Sequence, residues 1–407
     1  MVRSKTILKT NSIKDILTLR YNSTSAAQIE KKTWRDFAQR TVQENVSEHV
    51  ENLITVNLAK SIKNSNKTKA AIALSSGVDS TLVLSLLKQT CPDVKVNAIS
   101  IKFANSVDES KYAARIAQEF DISHEIVYIE NFLKDLPAAL DLVKQPFWDL
   151  HWYHVVKKAK SIGEIIVSGD GGDELFGGYT FRYEKFLALT KRTSSPLAKV
   201  KAYLQCHERD WVPDQQDVFG KKIGFSWDLI YSRLLPYFDN KLDSLSQVFL
   251  ADFNGKLLYN WIPLNKKIHD HFGVKQVTPI LSKQTIDYAT HLPSKLKYDP
   301  QSNTGKLILR EIIKSRGLER LLIKKKQGFS VDTMNLWKSH GYDLCSHYLS
   351  DSRVVKQGWI NDAWIKKHFE KNLDARYVNK FLGIFALEIW YRLFVTKEIK
   401  PNHKLSV

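Results

Sequence analysis

The feature that most constrains the fold is the alternation of short apolar runs with helical patterns between residues 43 and 182. The apolar runs predict strands at 70–74, 94–103, 124–129 and 164–167. Apolar side chains three or four positions apart predict helices at 43–63, 81–89, 108–120, 132–143 and 152–162. Strands that alternate with helices in this way predict an α/β fold, with a parallel sheet covered by helices on both faces.

The pattern changes after about Tyr183, where we expect the strands to stop. The later apolar spacing predicts mostly helix, with segments at 229–235, 245–258, 286–292, 306–315 and 382–395. The expected organisation is therefore an N-terminal extension (1–42), an α/β core (43–182) and a mostly helical C-terminal part (183–407).

Composition excludes several classes of protein. With 407 residues and 43% apolar content, the chain can build a substantial core, which excludes a disordered or fibrous protein. Three cysteines, Cys91, Cys206 and Cys345, fit neither an even disulfide set nor paired zinc ligands, which favours a reducing compartment. The charged N-terminus lacks the apolar region of a signal peptide, and no run reaches the roughly 18 apolar residues of a membrane span. We therefore expect a soluble cytoplasmic protein without a membrane partner.

The net charge of +18 is concentrated in the C-terminal part. Residues 181–407 hold 38 of the 61 Lys and Arg residues against 22 Asp and Glu. This asymmetry favours an anionic surface partner such as RNA, and it also fits solvated helix faces.

A polar turn with the sequence SSGVDS (75–80) lies between the first predicted strand and its helix. Ligands bind at the carboxyl ends of parallel strands, and a helix N-terminus favours anions. Gly77 allows close approach of the backbone, the serines supply hydroxyl donors, and Asp79 can hold a divalent cation. The turn lacks the Gly-Lys-Ser/Thr of the common P-loop, which argues against γ-phosphate transfer. A plain βα turn with a Ser or Asp helix cap is the alternative.

A second loop, SGDGGDELFGGY (168–179), follows the last predicted strand of the α/β core and contains five glycines and three acids. The glycines allow a tightly folded backbone around a ligand. The acids require a cation, a base role or a helix N-terminus to offset their repulsion. Leu175, Phe176 and Tyr179 would anchor the loop, which argues against a flexible surface segment.

Together, SSGVDS after a strand and SGDGGDELFGGY about 90 residues later resemble the synthetase domain of the asparagine synthetase family, a pyrophosphatase-loop ATP-binding fold. KLILR, beginning at Lys306, resembles the family's K-x-x-L-R helix, and KQGFS, beginning at Lys326, resembles its K-x-G-F-S segment. The similarity runs from about residue 44 to residue 393. It implies a parallel-sheet domain of the adenine-nucleotide α-hydrolase type, completed by a helical C-terminal region.

The resemblance also implies a reaction. In this family, the carboxylate of an acidic substrate attacks the α-phosphate of ATP, pyrophosphate leaves, and an amine displaces AMP from the acyl-adenylate. The implied cofactors are ATP and Mg²⁺, and the implied metal ligands are Asp79 and Asp173. The implied catalytic residues are Lys326, which neutralises phosphate charge in the transition state, and Asp170, the candidate general base for the amine.

Further binding residues follow from the same resemblance. Those implied to contact ATP, pyrophosphate or the acyl-adenylate are Leu74, Ser75, Ser76, Gly77, Val78, Asp79, Ser80, Ile101, Ser168 and Gly169. Leu74 and Ile101 match backbone positions that hold the adenine. Asp149, in a segment that resembles the family's E-P-F-x-D, is a site candidate or a helix cap. Lys306 and Arg310, one helical turn apart, face either phosphate or solvent.

The sequence departs from the family pattern in two places. Val2 follows Met1, where glutamine-using members carry a cysteine nucleophile, and the roughly 68 residues before the first strand are too few for a glutaminase domain. We therefore expect free ammonia, an amine substrate, or ammonia from a separate glutaminase subunit. GVKQVTPILS (273–282) stands where the family usually has GLEARVPFLD, so that Lys275, Val277 and Ser282 replace Glu, Arg and Asp. These replacements question aspartate as the substrate.

The leading prediction is an ATP-dependent amide ligase of asparagine-synthetase type, with aspartate as the commonest substrate in the family. The alternatives are a lactam-forming or peptide-cyclising relative, an RNA-modifying enzyme of the pyrophosphatase-loop type, and a non-catalytic ATP-binding subunit. The expected partners are a small carboxylate and ammonia or an amine. RNA and a second copy of the chain, in a homodimer, are further candidates.

Overall fold

A parallel sheet lies at the centre of the computed structural model, which describes residues 8–41, 45–104, 106, 108, 110–192, 195–323 and 331–407. Its strands are β1 (Lys69–Ala73), β2 (Lys95–Phe103), β3 (Ser123–Ile129), β4 (Ile165–Val167) and β5 (Lys275–Val277). They lie in the order β3-β2-β1-β4-β5, and each neighbouring pair is parallel. The predicted α/β class is therefore confirmed.

Most of the remaining described residues are helical. The α-helices are α1 (Thr10–Leu19), α2 (Val46–Lys63), α3 (Val78–Thr90), α4 (Ser110–Glu119), α5 (Leu136–Val143), α6 (Trp152–Ile162), α7 (Gly172–Phe176), α8 (Thr180–Thr190), α9 (Pro196–Cys206), α10 (Gln215–Val218), α11 (Trp227–Phe238), α12 (Ser244–Asp252), α13 (Ile262–Phe272), α14 (Lys283–Thr290), α15 (Leu307–Ser315), α16 (Thr333–Leu336), α17 (Tyr342–Ser350), α18 (Arg353–Lys356), α19 (Asp362–His368) and α20 (Ala375–Phe394). Two π-helical segments continue α12 and α16, at Phe253–Trp261 and Trp337–Gly341. Short 3-10 helices lie at Trp34–Phe37, Phe132–Asp135, Pro279–Leu281, Ser294–Leu296 and Glu319–Leu321. Within the described ranges, no helix is both long enough and apolar enough to cross a bilayer.

The side chains of β1 show why helices cover both faces of the sheet. Successive side chains of a strand point to opposite faces. Ala70 and Ile72 join a core built with α2, α3 and α15, which we call the first core. Ala71 and Ala73 join a second core, built with α5, α6, α13 and α20. Because both faces of β1 are buried, its sequence is a continuous apolar run rather than an alternating one.

The prediction that strands stop after about Tyr183 is wrong. β5 lies in the C-terminal part and pairs with β4, with Lys275 beside Ile165 and Val277 beside Val167. A short antiparallel pair follows, β6 (Tyr298–Asp299) with β7 (Thr304–Gly305). β5 has only three residues, Lys-Gln-Val, and therefore shows no apolar run that sequence reading could detect. The predicted boundary between residues 182 and 183 stays a prediction.

The predicted N-terminal extension contains helix α1, which the sequence analysis did not identify. Ile13 and Ile16 of α1 enter the second core. Asp15 is fully buried and pairs with Arg233 at 2.6 Å. The helix ends at Arg20, which has left-handed backbone geometry with φ of 58°. These contacts anchor the segment against the α/β core and the C-terminal helices.

Candidate active site

The two loops identified in the sequence follow adjacent strands. Residues 75–80 come after β1 and residues 168–179 come after β4, and the strand order reverses between these two strands. In open α/β sheets, ligands bind at such a reversal, outside the carboxyl ends of the strands. A cavity of about 390 Å³ lies between the loops. The predicted site residues in its lining are Ser75, Asp79, Ser80, Asp149, Ser168, Gly169, Asp170 and Asp173.

The first loop is held in shape by its own serines. Ser80 Oγ donates to the Ser75 carbonyl at 2.8 Å and accepts from the Ser75 N–H at 3.2 Å. Gly77 caps α3, which begins at Val78, three residues earlier than the predicted helix. Asp79 and Ser80 therefore lie in the first turn of a helix whose N-terminal dipole favours an anion.

Glycines of the second loop allow the two loops to touch. A Cβ on Gly169 would lie 2.7 Å from the Asp79 Cβ and 2.8 Å from its carbonyl carbon. A Cβ on Gly172 would collide with the Asp79 carboxylate. Any larger residue at these two positions would separate the loops, so the glycine content of the second loop has a direct steric cause.

Lys306 joins the two predicted metal ligands. Its Nζ lies 2.5 Å from Asp79 Oδ2 and 2.7 Å from Asp173 Oδ1. Burial by itself would lower the pKa of Lys306, but Asp173 and Asp79 outweigh it and raise that pKa above the usual value. Lys306 precedes α15 in left-handed geometry, with φ of 59°. Of the two alternatives that the sequence left open, Lys306 faces the site.

The two carboxylates fit a magnesium ion. Asp79 Oδ1 is buried and has no hydrogen-bond partner among the described residues, and Asp173 reaches the same lysine. Across the described ranges, no group of three or more potential metal-ligating side chains occurs. Mg²⁺ commonly uses one or two carboxylates together with substrate phosphates and water, so two carboxylates are sufficient.

Asp170 lies beside this pair in a network of donors. Its Oδ2 accepts from Ser168 Oγ at 2.8 Å and from Gln276 Nε2 at 3.1 Å, and Trp261 also donates to the carboxylate. Burial raises the pKa of Asp170, and the three hydrogen bonds oppose this shift without cancelling it. A half-buried carboxylate at the cavity wall, with a raised pKa and a fixed orientation, suits a general base.

Glu174 and Tyr179 form a pair that the sequence analysis quoted but did not assign to the site. Tyr179 donates its hydroxyl to Glu174 Oε1 at 2.6 Å, and both residues line the cavity. Burial, reinforced by neighbouring Asp173, raises the pKa of Glu174 to about 7. The neutral and ionised forms of this side chain are therefore both accessible near neutral pH.

Several predicted residues do not line the cavity: Leu74, Ser76, Gly77, Val78, Ile101, Lys306 and Arg310. Lys306 contacts the site through the carboxylates of Asp79 and Asp173. The Leu74 carbonyl accepts from Ser100 Oγ at 2.6 Å, and Ile101 lies within β2. Arg310 is exposed, with its Nε donating to the Gly305 carbonyl at 3.0 Å. Lys326, with the rest of the KQGFS segment, lies outside the described residues.

Comparison with known proteins agrees with this arrangement. The sequence profile described as asparagine synthase matches residues 57–392. The chain belongs to the asparagine synthase family. The resemblance inferred from the two loops is thus confirmed.

The curated relatives of this family member are distant. One is asparagine synthetase (glutamine-hydrolyzing) 1 of Bacillus subtilis, 24% identical over 366 residues that cover 81% of this chain and 57% of the relative. Another is putative asparagine synthetase (glutamine-hydrolyzing) 1 of Methanocaldococcus jannaschii, 25% identical over 324 residues that cover 75% and 56%. The chain therefore spans little more than half the length of these relatives.

Two solved structures were also matched. An NMN synthetase from Francisella tularensis covers 61% of this chain and 94% of its own, with a TM-score of 0.27 and 13% identity. A U34-tRNA thiolase from Methanococcus maripaludis covers 60% and 88%, with a TM-score of 0.26 and 15% identity.

The rest of the cavity in this asparagine synthase family member comes from residues that sequence reasoning missed. They are Arg20, Trp152, Gly171, Glu174, Tyr179, Lys256, Leu257, Asn260, Trp261 and the small Ala73. Arg20 precedes the matched region, and Lys256, Leu257, Asn260 and Trp261 belong to the π-helical segment 253–261. Neither segment carries a motif, so only tertiary contacts bring these residues to the site.

Lys275, Val277 and Ser282, the three altered positions in the segment that stands where the family has GLEARVPFLD, do not line the cavity. Lys275 is exposed and donates to the Ser61 carbonyl at 3.1 Å. Val277 is buried in the first core, and Ser282 caps α14 through the Thr285 N–H at 3.2 Å. The segment reaches the site through Gln276, which holds Asp170. The three replacements therefore act on the site only at a distance.

Proposed function

We propose that the chain is an ATP-dependent amide ligase of asparagine-synthetase type. A carboxylate oxygen of the acyl donor attacks the α-phosphorus of ATP, the bond to the β-phosphate breaks, and pyrophosphate leaves. An amine nitrogen then attacks the acyl carbon, loses a proton, and displaces AMP. The observation that carries this proposal is the meeting of the SSGVDS and SGDGGDELFGGY loops at one cavity, with Lys306 between Asp79 and Asp173.

The phosphate side of the cavity supplies the charge that pyrophosphate departure needs. Asp79 and Asp173 would hold Mg²⁺, which neutralises phosphate charge when it is bound. The hydroxyls of Ser75 and Ser80, with the N-terminus of α3, favour the phosphates by hydrogen bonding and by the helix dipole. Lys306 keeps its proton near neutral pH, because its pKa is raised, and adds a fixed positive charge. The predicted role of Lys326 belongs to the same proposal.

Asp170 would accept the proton of the amine. Its carboxylate is oriented by Ser168, Trp261 and Gln276, and its raised pKa increases its affinity for a proton. The orientation matters because a base must lie within hydrogen-bond reach of the proton that it removes. The proposed donor is aspartate and the proposed amine is ammonia, which a separate glutaminase subunit could deliver. A cytoplasmic location is part of the proposal, and the three free cysteines agree with a reducing compartment.

Pyrophosphate release from MgATP, with aspartate and ammonium at mildly alkaline pH, tests this function. AMP, pyrophosphate and asparagine are the expected products. Asp79→Asn and Asp173→Asn should each abolish pyrophosphate release, whereas Asp93→Asn, at an exposed position outside the cavity, should leave it unchanged. Unchanged release in both site variants would refute the assignment of the two carboxylates.

If no pyrophosphate is released with aspartate and ammonium, while MgATP still binds, the result would favour another pair of acyl donor and amine. Peptides would then be tested for cyclisation and RNA for modification. RNA retention should fall steeply between about 50 and 200 mM salt if phosphate contacts hold it.

A further inference from the structure

Two of the three donors that orient Asp170 lie outside the two loops. Trp261 is the residue before α13, and Gln276 is the middle residue of β5. The third donor, Ser168, belongs to the same loop as the carboxylate. The direction of the carboxylate therefore depends on how α13 and β5 are held. A buried histidine in the last turn of α13, His269, contacts residues that hold both donors.

The first contact of His269 fixes the ring on which Trp261 packs. Trp152 Nε1 donates to His269 Nε2 at 3.1 Å, and this hydrogen bond is buried. The ring centroids of Trp152 and Trp261 lie 5.6 Å apart, with 52° between the ring planes. Both tryptophans line the cavity, whereas His269 is buried and does not line it. Removing the acceptor would take away the hydrogen bond that orients Trp152, and the ring of Trp261 would lose a fixed neighbour.

The second contact holds Val274, the residue before β5. His269 Nδ1 donates to the Val274 carbonyl at 3.1 Å, and the Val274 N–H donates to the His269 carbonyl at 3.1 Å. The ring and the backbone of one residue thus hold both polar backbone groups of Val274. β5 begins at the next residue, and Gln276 lies beside Ile166 of β4. The position from which Gln276 reaches Asp170 is therefore set by β4 at its side and by His269 at the start of the strand.

The two contacts require one form of the imidazole ring. A carbonyl oxygen only accepts a hydrogen bond, so Nδ1 of His269 carries the proton. An indole N–H only donates, so Nε2 carries none. Burial lowers the pKa of His269 to about 4, against the effects of the Val274 carbonyl and Asp270. The ring is therefore neutral near neutral pH, in the form that both partners need.

We propose that His269 is a positioning residue for the amine step, because through Trp152 and Val274 it holds two of the donors that orient Asp170. The inference rests on the proposed function, since it takes Asp170 as the base. It goes beyond that function by assigning a role to a residue that lies outside the cavity lining and outside the motifs identified in the sequence. The orientation of a base matters because a misplacement of about 1 Å can cost about 100-fold in rate.

Three substitutions of His269 separate the two contacts. His269→Asn keeps an amide N–H near the position of Nδ1, so it keeps a donor for Val274 and loses the acceptor for Trp152. His269→Gln places an amide oxygen near the position of Nε2, so it keeps the acceptor for Trp152 and loses the donor for Val274. His269→Leu loses both contacts. His271→Gln, at an exposed histidine of the same helix, is the matched control.

The ratio of amide formation to ATP–pyrophosphate exchange measures the effect on the amine step. His269→Leu should lower amide formation about 10- to 100-fold relative to exchange, and His269→Asn and His269→Gln should lower it by smaller factors. His271→Gln should match the wild type. A purely structural role for His269 would reduce both rates together and leave their ratio unchanged.

The indole N–H signals of the ligand-free full chain in NMR spectra test the contacts without turnover. Trp152→Phe and Trp261→Phe assign the two signals. His269→Asn and His269→Leu should shift both signals, because the hydrogen bond to Trp152 is lost and the ring of Trp261 packs on that of Trp152. His269→Gln should leave both signals close to their wild-type positions.

The outcomes are distinct. Amide formation by the wild type, with an unchanged ratio in all three His269 variants, would overturn the inference and leave the proposed function standing. Unchanged signals of Trp152 and Trp261 in His269→Leu would also overturn the inference. If His269→Leu does not fold, His269→Asn decides in the same way. A wild-type chain that exchanges pyrophosphate but forms no amide with any amine would refute the proposed function, and the inference with it.

Discussion

Lys306→Met removes the cation between Asp79 and Asp173, and we expect it to destabilise the chain by about 3 kcal/mol in the absence of divalent cations. The side chains of Lys306 and Asp79 are each 9% exposed, and that of Asp173 is 37% exposed. Removing one partner of a buried ion pair costs about 3–5 kcal/mol, because the other charge is left uncompensated. Water screens the contact with Asp173, which places the expected loss at the lower end of this range.

Urea unfolding, followed by circular dichroism in EDTA and in Mg²⁺, measures this loss. In the variant, a magnesium ion can replace the lost positive charge. Saturation at 100 times the dissociation constant would stabilise the folded state by about 2.7 kcal/mol. In the wild type the gain should be smaller, because Lys306 competes for the same carboxylates. The difference between the two proteins should therefore shrink to about 1 kcal/mol or less in saturating Mg²⁺.

Lys314→Met, at an exposed position on the same helix, is the matched control and should be close to wild type in both buffers. Two results would refute the reasoning. The first is a Lys306→Met variant as stable as the wild type in EDTA. The second is an equal gain from Mg²⁺ in both proteins, which would show that the lysine and the metal do not share ligands.

Gly169→Ala would place a methyl group 2.7 Å from the Asp79 Cβ. We expect this variant to lose MgATP binding, measured by equilibrium dialysis, and to keep its helix content. Normal nucleotide binding would contradict the steric argument. Asp170→Asn should reduce amide formation about 10²- to 10⁴-fold while ATP–pyrophosphate exchange stays within a few-fold of wild type; equal loss of both steps would exclude a base role. Burial raises the pKa of Asp15 to about 6, against the effects of Ser23 and Arg233. Below about pH 4 the Asp15 carboxyl is protonated in both the folded and the unfolded chain. Between about pH 4 and pH 6 it ionises in the unfolded chain but stays protonated in the folded chain, so the free energy of unfolding falls as the pH rises. Asp15→Asn has no carboxyl to titrate, so its free energy of unfolding minus that of the wild type should increase by about 3 kcal/mol from pH 4 to pH 7. A difference that stays constant with pH would show that Asp15 titrates normally.

The meeting of the two loops at one cavity could be predicted from the sequence because the residues of each loop are contiguous. The turn at 75–80 and the loop at 168–179 each follow an apolar run, and parallel strands bring such loops to one edge of a sheet. The burial of Lys306 against Asp79 and Asp173, and the exposure of Arg310, required the structure. α15 begins after Lys306, whose backbone is left-handed, so the two side chains do not share one helical face.

The other side of the cavity could not be predicted, because tertiary contacts alone create it. Arg20 reaches the cavity from the N-terminal segment and Lys256 from a π-helical segment with a kink at Gly255, where φ is −98° and ψ is −113°. Neither residue lies in a repeated pattern or a glycine-rich turn. The sequence analysis missed β5 for a related reason. Three residues give no periodicity, and they form a strand only because their backbone pairs with that of β4.

The position of β5 in the chain has a consequence for how the protein folds. β4 is fully buried, yet β5, which pairs with it, is synthesised about 100 residues later. The pairing of β4 with β5 therefore closes a long loop and raises the contact order. Until then, β4 presents an apolar strand with unpaired backbone groups, the kind of edge that promotes aggregation. Residues 1–182 alone should therefore fold poorly and associate. The sheet that carries the two loops is completed only when the chain has passed residue 277 on the ribosome, so the proposed nucleotide binding should appear late in synthesis.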